Sequence, residues 1–96
     1  MSTLPFFKFR LYVVEDTSNS IQAIANLEAI CREYLIGNHT IELVDVLKEP
    51  IRALEDSIFM TPTLVRLAPA PVARIVGTLS DTALVLQVLG LRPNHP

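Results

Sequence analysis

The sequence is poor in the residues on which several chemistries depend. One cysteine among 96 residues permits no intramolecular disulfide, no Cys-x-x-Cys redox pair and no cysteine-rich zinc site, and it points to a reducing cytoplasm. Three glycines leave no glycine-rich phosphate loop. Eight Lys or Arg against ten Asp or Glu, a formal net charge of -2, supply no bulk positive field for nucleic acid or anionic lipid. No apolar run approaches the roughly 20 residues that cross a bilayer. Met1 to Arg10 also lacks the basic and apolar regions of a secretory signal. The expectation is a soluble cytoplasmic protein with neither a membrane nor a nucleic-acid partner.

What is present is the material for a core, since half of the residues are hydrophobic. One domain over residues 1–96 is expected, with 1–5 and 92–96 as flexible tails. Charge is uneven: residues 1–56 hold five Lys or Arg and nine Asp or Glu, a net of -4, whereas residues 57–96 hold three and one, a net of +2. The sparsely charged stretches 57–67 and 82–91 read as buried, or as surfaces for self-association or a protein partner.

Residues 6–14 read as a strand, with Phe7, Phe9, Leu11 and Val13 on one face and Lys8, Arg10 and Tyr12 sharing the other with Phe6 and Val14. Residues 15–19 are a polar break in which Thr17, Ser18 or Ser20 is placed to cap a helix. Along that helix Ile21, Ile24, Leu27, Cys31 and Tyr34 recur at spacings of three and four, joined by Ile30 and Leu35. Gly37 and Asn38 end it. Residues 40–47 form a second strand, apolar except for Glu42 and Asp45, the pattern of a strand covered on both faces. Strand, helix and strand make a right-handed βαβ unit with parallel strands.

Pro50 then opens a short helix whose buried face would be Ile51, Leu54 and Ile58. Residues 63–68 and 72–76, joined by Pro69-Ala70-Pro71, read as a hairpin ended by Gly77. Ser80 or Asp81 caps a last helix with Leu84, Val85, Val88 and Leu89 inward, closed by Gly90 and Pro93. The order βαβαββα is α/β with a mixed four-stranded sheet, and it resembles the minimal thioredoxin plan. Residues 50–91 are the least decided part. Phe59-Met60-Thr61-Pro62 has no clear period, and 63–76 holds enough Leu, Ala, Val and Arg to be helical in another context.

Thioredoxin-like proteins place a cis proline just before the third strand, where Thr61-Pro62 stands; the cis X-Pro bond costs only about 0.5–1 kcal/mol over trans. The loop after the first strand reads Val14-Glu15-Asp16-Thr17-Ser18-Asn19-Ser20 and has no thiol, which excludes dithiol exchange. Cys31 lies on the apolar stripe of the first helix and reads as a buried side chain. The enzymatic alternative, a lone-thiol or glutathione-linked activity, requires that Cys31 be exposed with a lowered pKa. Asp45 reads as a strand-end acid that caps backbone N–H groups rather than as a catalytic acid. His39 and His95, placed in a turn and a tail, have no partners at metal-ligand spacing. No catalytic residue, metal site or cofactor is expected.

Several segments together resemble the KaiB family of circadian clock proteins. They are Leu11-Tyr12-Val13, Asn19-Ser20-Ile21, Val44-Asp45-Val46-Leu47-Lys48 followed by Pro50, Thr61-Pro62-Thr63-Leu64, and Pro69-x-Pro71-Val72-x-Arg74-Ile75-x-Gly77-x-Leu79-Ser80. The resemblance runs without gaps from about residue 7 to residue 91. Each piece is short, and their order and spacing make the match specific. The sensory domain of the clock kinase SasA is a more distant likeness.

The resemblance implies a non-enzymatic partner of a KaiC-like ATPase, docking on the first ring of that hexamer. It also implies two folds: a resting tetramer ordered βαββααβ, and a KaiC-binding monomer with the thioredoxin-like order. Residues 50–91 would exchange between them, with Pro62, Pro69 and Pro71 as the fold-switch and cis-proline candidates. Arg66, Arg74 and Lys48 are the candidate docking contacts, against a reading as solvated surface charges. The chain departs from the family at Ala70, where a third proline is usual, and at Ser18. It also departs at Gln22, Glu42 and Ala73, which stand where the cyanobacterial proteins carry basic residues, and in lacking an acidic tail after Leu91. Charge inversion at a docking face opposes binding, so KaiC-type binding carries over and KaiA binding does not. Such a chain would serve timing or stress adaptation in a system without KaiA, as a monomer, dimer or tetramer.

Overall fold

The alternation along residues 7–13 sets the centre of the molecule, because a strand apolar on one face needs a cover and this one receives two. The computed structural model describes residues 5–91; Pro93, His95 and the tail positions 1–4 and 92–96 lie outside the described residues. The elements are β1 (Phe7–Val13), α1 (Ser18–Tyr34), β2 (His39–Asp45), α2 (Pro50–Glu55), β3 (Thr63–Ala68), β4 (Ala73–Val76) and α3 (Thr82–Leu89). The four strands form one mixed sheet in the order β2-β1-β3-β4. β1 runs parallel to β2 and antiparallel to β3, which runs antiparallel to β4. This is the βαβαββα, thioredoxin-like order rather than the alternative βαββααβ.

Phe7, Phe9, Leu11 and Val13 face α1 and α3, where they meet Leu27, Ile30 and Cys31, Leu64 of β3, and Val85, Leu86 and Leu89. On the opposite face Tyr12 is fully enclosed by Val44, Val65, Ala53 and Ile58, under α2. Fully burying each of these aliphatic or aromatic side chains is worth about 1.5–3 kcal/mol before entropy is charged against it.

Local chemistry explains the element ends. Thr17 stands at the N-cap of α1, yet its hydroxyl donates to the Val14 carbonyl at 2.8 Å, and the Ser20 hydroxyl accepts from the Val14 N–H at 3.1 Å. Serine and threonine thus close the β1–α1 loop instead of capping the helix. Asp81 does cap α3, its carboxylate accepting from the Leu84 N–H at 3.1 Å, and Gly90 ends that helix at φ +74°.

Five sequence expectations change. β2 is an edge strand, and the sheet order leaves one of its sides without a neighbour: Thr40, Glu42 and Leu43 are exposed, His39, Ile41 and Asp45 half-buried, and only Val44 is buried. Ile21 is exposed for the same reason: the part of α1 that carries it overhangs that open edge. In α2, Ile51 and Leu54 point outward while Ala53 and Ile58 fill the core. In α3, Leu86 is buried and Leu84 exposed. His39, expected in a turn, is the first residue of β2.

Candidate docking surface

The strand directions gather three loops at one end of the sheet. Val13 pairs with Asp45 across the parallel ladder, and Tyr12 pairs with Thr63, which pairs with Val76. The loops that follow β1 and β2 and the segment that leads into β3 therefore lie together. Asp45 ties the first two. Its carboxylate accepts from the Glu15 N–H at 3.1 Å, the Leu47 N–H at 2.7 Å and the Lys48 N–H at 3.2 Å. These bonds, that from Glu15 first, hold its carboxyl below the usual range. Above them Lys48 pairs with Glu15, which raises the lysine.

The segment before β3 holds its backbone and presents its side chains. The Thr63 hydroxyl donates to the Met60 carbonyl at 2.5 Å, and the Gly77 N–H donates to the Pro62 carbonyl at 2.9 Å. The Thr61–Pro62, Ala68–Pro69 and Ala70–Pro71 peptide bonds are cis. Phe59 is 83% exposed and Met60 64%. Leu47 and Val76, at the same end, are exposed too, as are Ile51 and Leu54 on α2. Two large apolar side chains held outward on a braced segment make a candidate contact surface, since protein surfaces ordinarily carry such groups singly.

The three sequence-nominated cations part company. Arg74 is opposite Val65 in the β3–β4 ladder and so lies on the α2 side of the sheet, exposed, its guanidinium donating to the Ser57 carbonyl at 3.4 Å. Lys48 is exposed at the loop end described above. Arg66 is 7% exposed. Its guanidinium donates to the Leu89 carbonyl at 2.5 Å and to the Pro71 carbonyl at 2.6 Å, so it joins β3 to the end of α3 inside the fold. Both readings made of Arg66 from the sequence, docking contact and solvated charge, assumed a surface position that it does not have here.

An ion-pair chain lies on the α2 face. Glu42 accepts from Arg10 at 2.8 Å and pairs with Arg52 at 2.9 Å; Arg10 also reaches Asp56 at 3.1 Å, Arg52 reaches Glu49 at 3.2 Å, and the Tyr12 hydroxyl donates to Asp56. Arg52, then Arg10, pull the Glu42 carboxyl down to about 2. Tyr12, then Arg10, lower Asp56, while burial and the Asp56 bond raise the Tyr12 hydroxyl. Sequence reading missed this chain and the outward Phe59–Met60 pair. For the latter the one signal was the uncharged, aperiodic 57–67 stretch.

Cys31 is 1% exposed, and burial, helped by Glu28, pushes its thiol up to about 11. That is the opposite of a nucleophile's environment. Among the described residues no three His, Cys, Asp or Glu side chains are grouped to hold a metal ion, and no helix is long and apolar enough to cross a membrane.

Comparison with known proteins places this geometry. A family model described as the KaiB domain matches residues 10–91. Circadian clock protein KaiB3 of a Synechocystis species is 44% identical over 84 residues, covering 88% of this chain and 82% of the relative. Circadian clock oscillator protein KaiB of Synechococcus elongatus is 42% identical over 91 residues, covering 95% of this chain and 89% of the relative. Among solved structures, the N-terminal domain of Synechococcus elongatus SasA superposes with a TM-score of 0.73 at 17% identity, covering 94% of this chain and 89% of that one. Fasciola hepatica thioredoxin superposes with a TM-score of 0.71 at 18% identity, covering 91% and 82%. The last two establish the thioredoxin-like fold alone.

Proposed function

The chain belongs to the KaiB family of circadian clock proteins, and from that premise we propose that it is a non-enzymatic regulatory module that docks on a KaiC-like ATPase ring and modulates its phosphorylation cycle. The observation that carries the reading is the end of the sheet where Phe59 and Met60 stand exposed and the loop 14–20 offers no thiol. A contact surface occupies the place where a thioredoxin keeps its chemistry. Arg74 and Lys48 flank it as charged contacts. Arg66 contributes indirectly, by holding α3 against β3.

The module is one domain over residues 1–96, and residues 50–91 exchange the thioredoxin-like packing for the βααβ arrangement of an oligomeric resting state. Supporting this is the thin charge of those residues, which suits burial in either state. Glu42 and Ala73 favour a KaiC-type partner over KaiA. The lone-thiol alternative finds no support in a buried Cys31 whose thiol is raised. A detached SasA-like sensory domain shares the fold but not the 42–44% identity of the KaiB relatives.

The test is size-exclusion chromatography with the cognate KaiC homologue in each phosphorylation and nucleotide state. A complex is expected in at least one state and is lost in the F59S/M60S double variant. Because both side chains are exposed, that variant should unfold within about 0.5 kcal/mol of the parent. Absence of a complex in every state would sink the proposal.

A further inference from the structure

We infer that Glu42 is a positioning residue that holds α2 in place over the sheet and thereby presents the outward Ile51–Leu54 face. α2 needs such a device. It has six residues, its N-cap residue Glu49 makes no side-chain cap bond, and Ala53 is its one buried residue. A helix that short is unstable by itself in water, so tertiary ties decide where it sits. Ile58 beyond its end supplies one. The others are ionic and run as one chain from Glu49 and Arg52 of the helix, across Glu42 of β2 and Arg10 of β1, to Asp56 at the helix C-cap and on to Tyr12. The helix is thus tied to the sheet at Arg52 in its middle and at Asp56, its C-cap.

Glu42 is the joint of that chain. One carboxylate oxygen takes Arg10 and the other takes Arg52. Removing its charge leaves two separate pieces: a pair within α2, and a triad of Arg10, Asp56 and Tyr12 that touches only the C-cap. A basic residue in its place would repel both arginines. Glu42 stands on the edge strand β2, whose Val44 packs in the same cluster as Ala53 and Ile58, so its pairs add to an apolar contact on that side of α2.

The inference rests on the docking reading only in its consequence for binding, and the two separate in experiment. Hydrogen exchange is followed at Ala53, Asp56 and Ile58, whose N–H groups donate to the Glu49, Arg52 and Ala53 carbonyls. E42Q should speed Ala53 and Asp56 roughly twofold to fivefold, the range of a partly exposed ion pair, and leave the amides of β1 and α1 unchanged. R52Q should act in the same direction, and E42Q/R52Q should fall short of the sum of the two single effects, because both variants remove the shared Glu42–Arg52 pair. About 1 M salt should speed the parent and not E42Q. Unchanged exchange in E42Q, additive effects in the double variant, or equal salt response in parent and E42Q would overturn the inference. Should E42Q fail to fold, the salt response of the parent and of R52Q decides. The same variants are then titrated onto the KaiC homologue. A parent that binds no KaiC homologue refutes the docking reading and leaves the exchange result standing by itself.

Discussion

Replacing Arg66 with Met should destabilise the fold by about 2 kcal/mol, although a surface arginine would cost almost nothing to replace. The side chain is 7% exposed and makes two bonds of 2.5 and 2.6 Å to the Leu89 and Pro71 carbonyls. Each charge-assisted bond is worth roughly 1.5–3 kcal/mol, and leaving its acceptor buried and unpaired adds to the loss. The Leu89 carbonyl lies in the last turn of α3, where a cation also meets the negative end of the helix dipole, worth about 0.3–1 kcal/mol. Against this stands the several kcal/mol needed to bury a guanidinium that meets only neutral carbonyls, which Met does not require. The Nε of Arg66 also has no partner among the described residues. The difference leaves about 2 kcal/mol in favour of arginine, or about 10 °C in Tm for a domain of this size. Thermal unfolding by circular dichroism reads it directly. R66K, which can reach one carbonyl but not span both, should fall between. A Tm for R66M within about 2 °C of the parent, together with lost binding to the KaiC homologue, would refute the structural account of Arg66 and return it to the docking surface.

Other outcomes follow from the same geometry. D81A removes the α3 cap bond to the Leu84 N–H and should cost about 1 kcal/mol, read as a lower urea midpoint with unchanged slope. Glu42, Asp56 and Asp45 all have carboxyls held below their ordinary ranges, so their contribution is complete above those ranges and is lost as pH falls through the folded-state values. The urea midpoint should hold from neutrality into the weakly acidic range. It should then decline as pH drops from the ordinary 4.5 of Glu42 toward about 2, and a midpoint that rises over that window contradicts the argument. Cys31, buried with its thiol raised to about 11, should react with a disulfide reagent at neutral pH only as fast as the protein opens. Labelling that is rapid and insensitive to stabilising conditions would mean that the thiol is reachable in the native state.

What was legible in the sequence was local. The two-residue alternation of Phe7, Phe9, Leu11 and Val13 set β1 and its core face, the Pro69–Pro71 loop separated β3 from β4, and the Ser80–Asp81 pair and Gly90 bounded α3. Asp45 and Cys31 were legible because an acid at a strand end and a thiol on an apolar stripe each have one dominant use. The misreadings share a cause, which is that they depended on neighbours far along the chain. Nothing around Glu42 announces Arg10, 32 residues away, and nothing around Arg66 announces the Leu89 carbonyl, 23 residues away. The exposure of β2 follows from its place in the sheet order, which its own composition does not encode. α2 has fewer than two turns, too few for a period to decide between Ala53 and its neighbours Ile51 and Leu54.

The central position of β1 bears on how the molecule is made. Leu11 pairs with Leu43 on one side and with Leu64 on the other, yet the ribosome delivers these partners at different times, adding about 5–20 residues per second. Once β2 has docked, β1 waits for β3 with a bare row of N–H and C=O groups beside the largest apolar side chains of the core. Bare edges of that kind recruit strands from other chains. A molecule in which β2 has docked and β3 has not is therefore open to strand addition from other chains, and the docking of Thr63–Ala68, once the ribosome has released it, closes the edge.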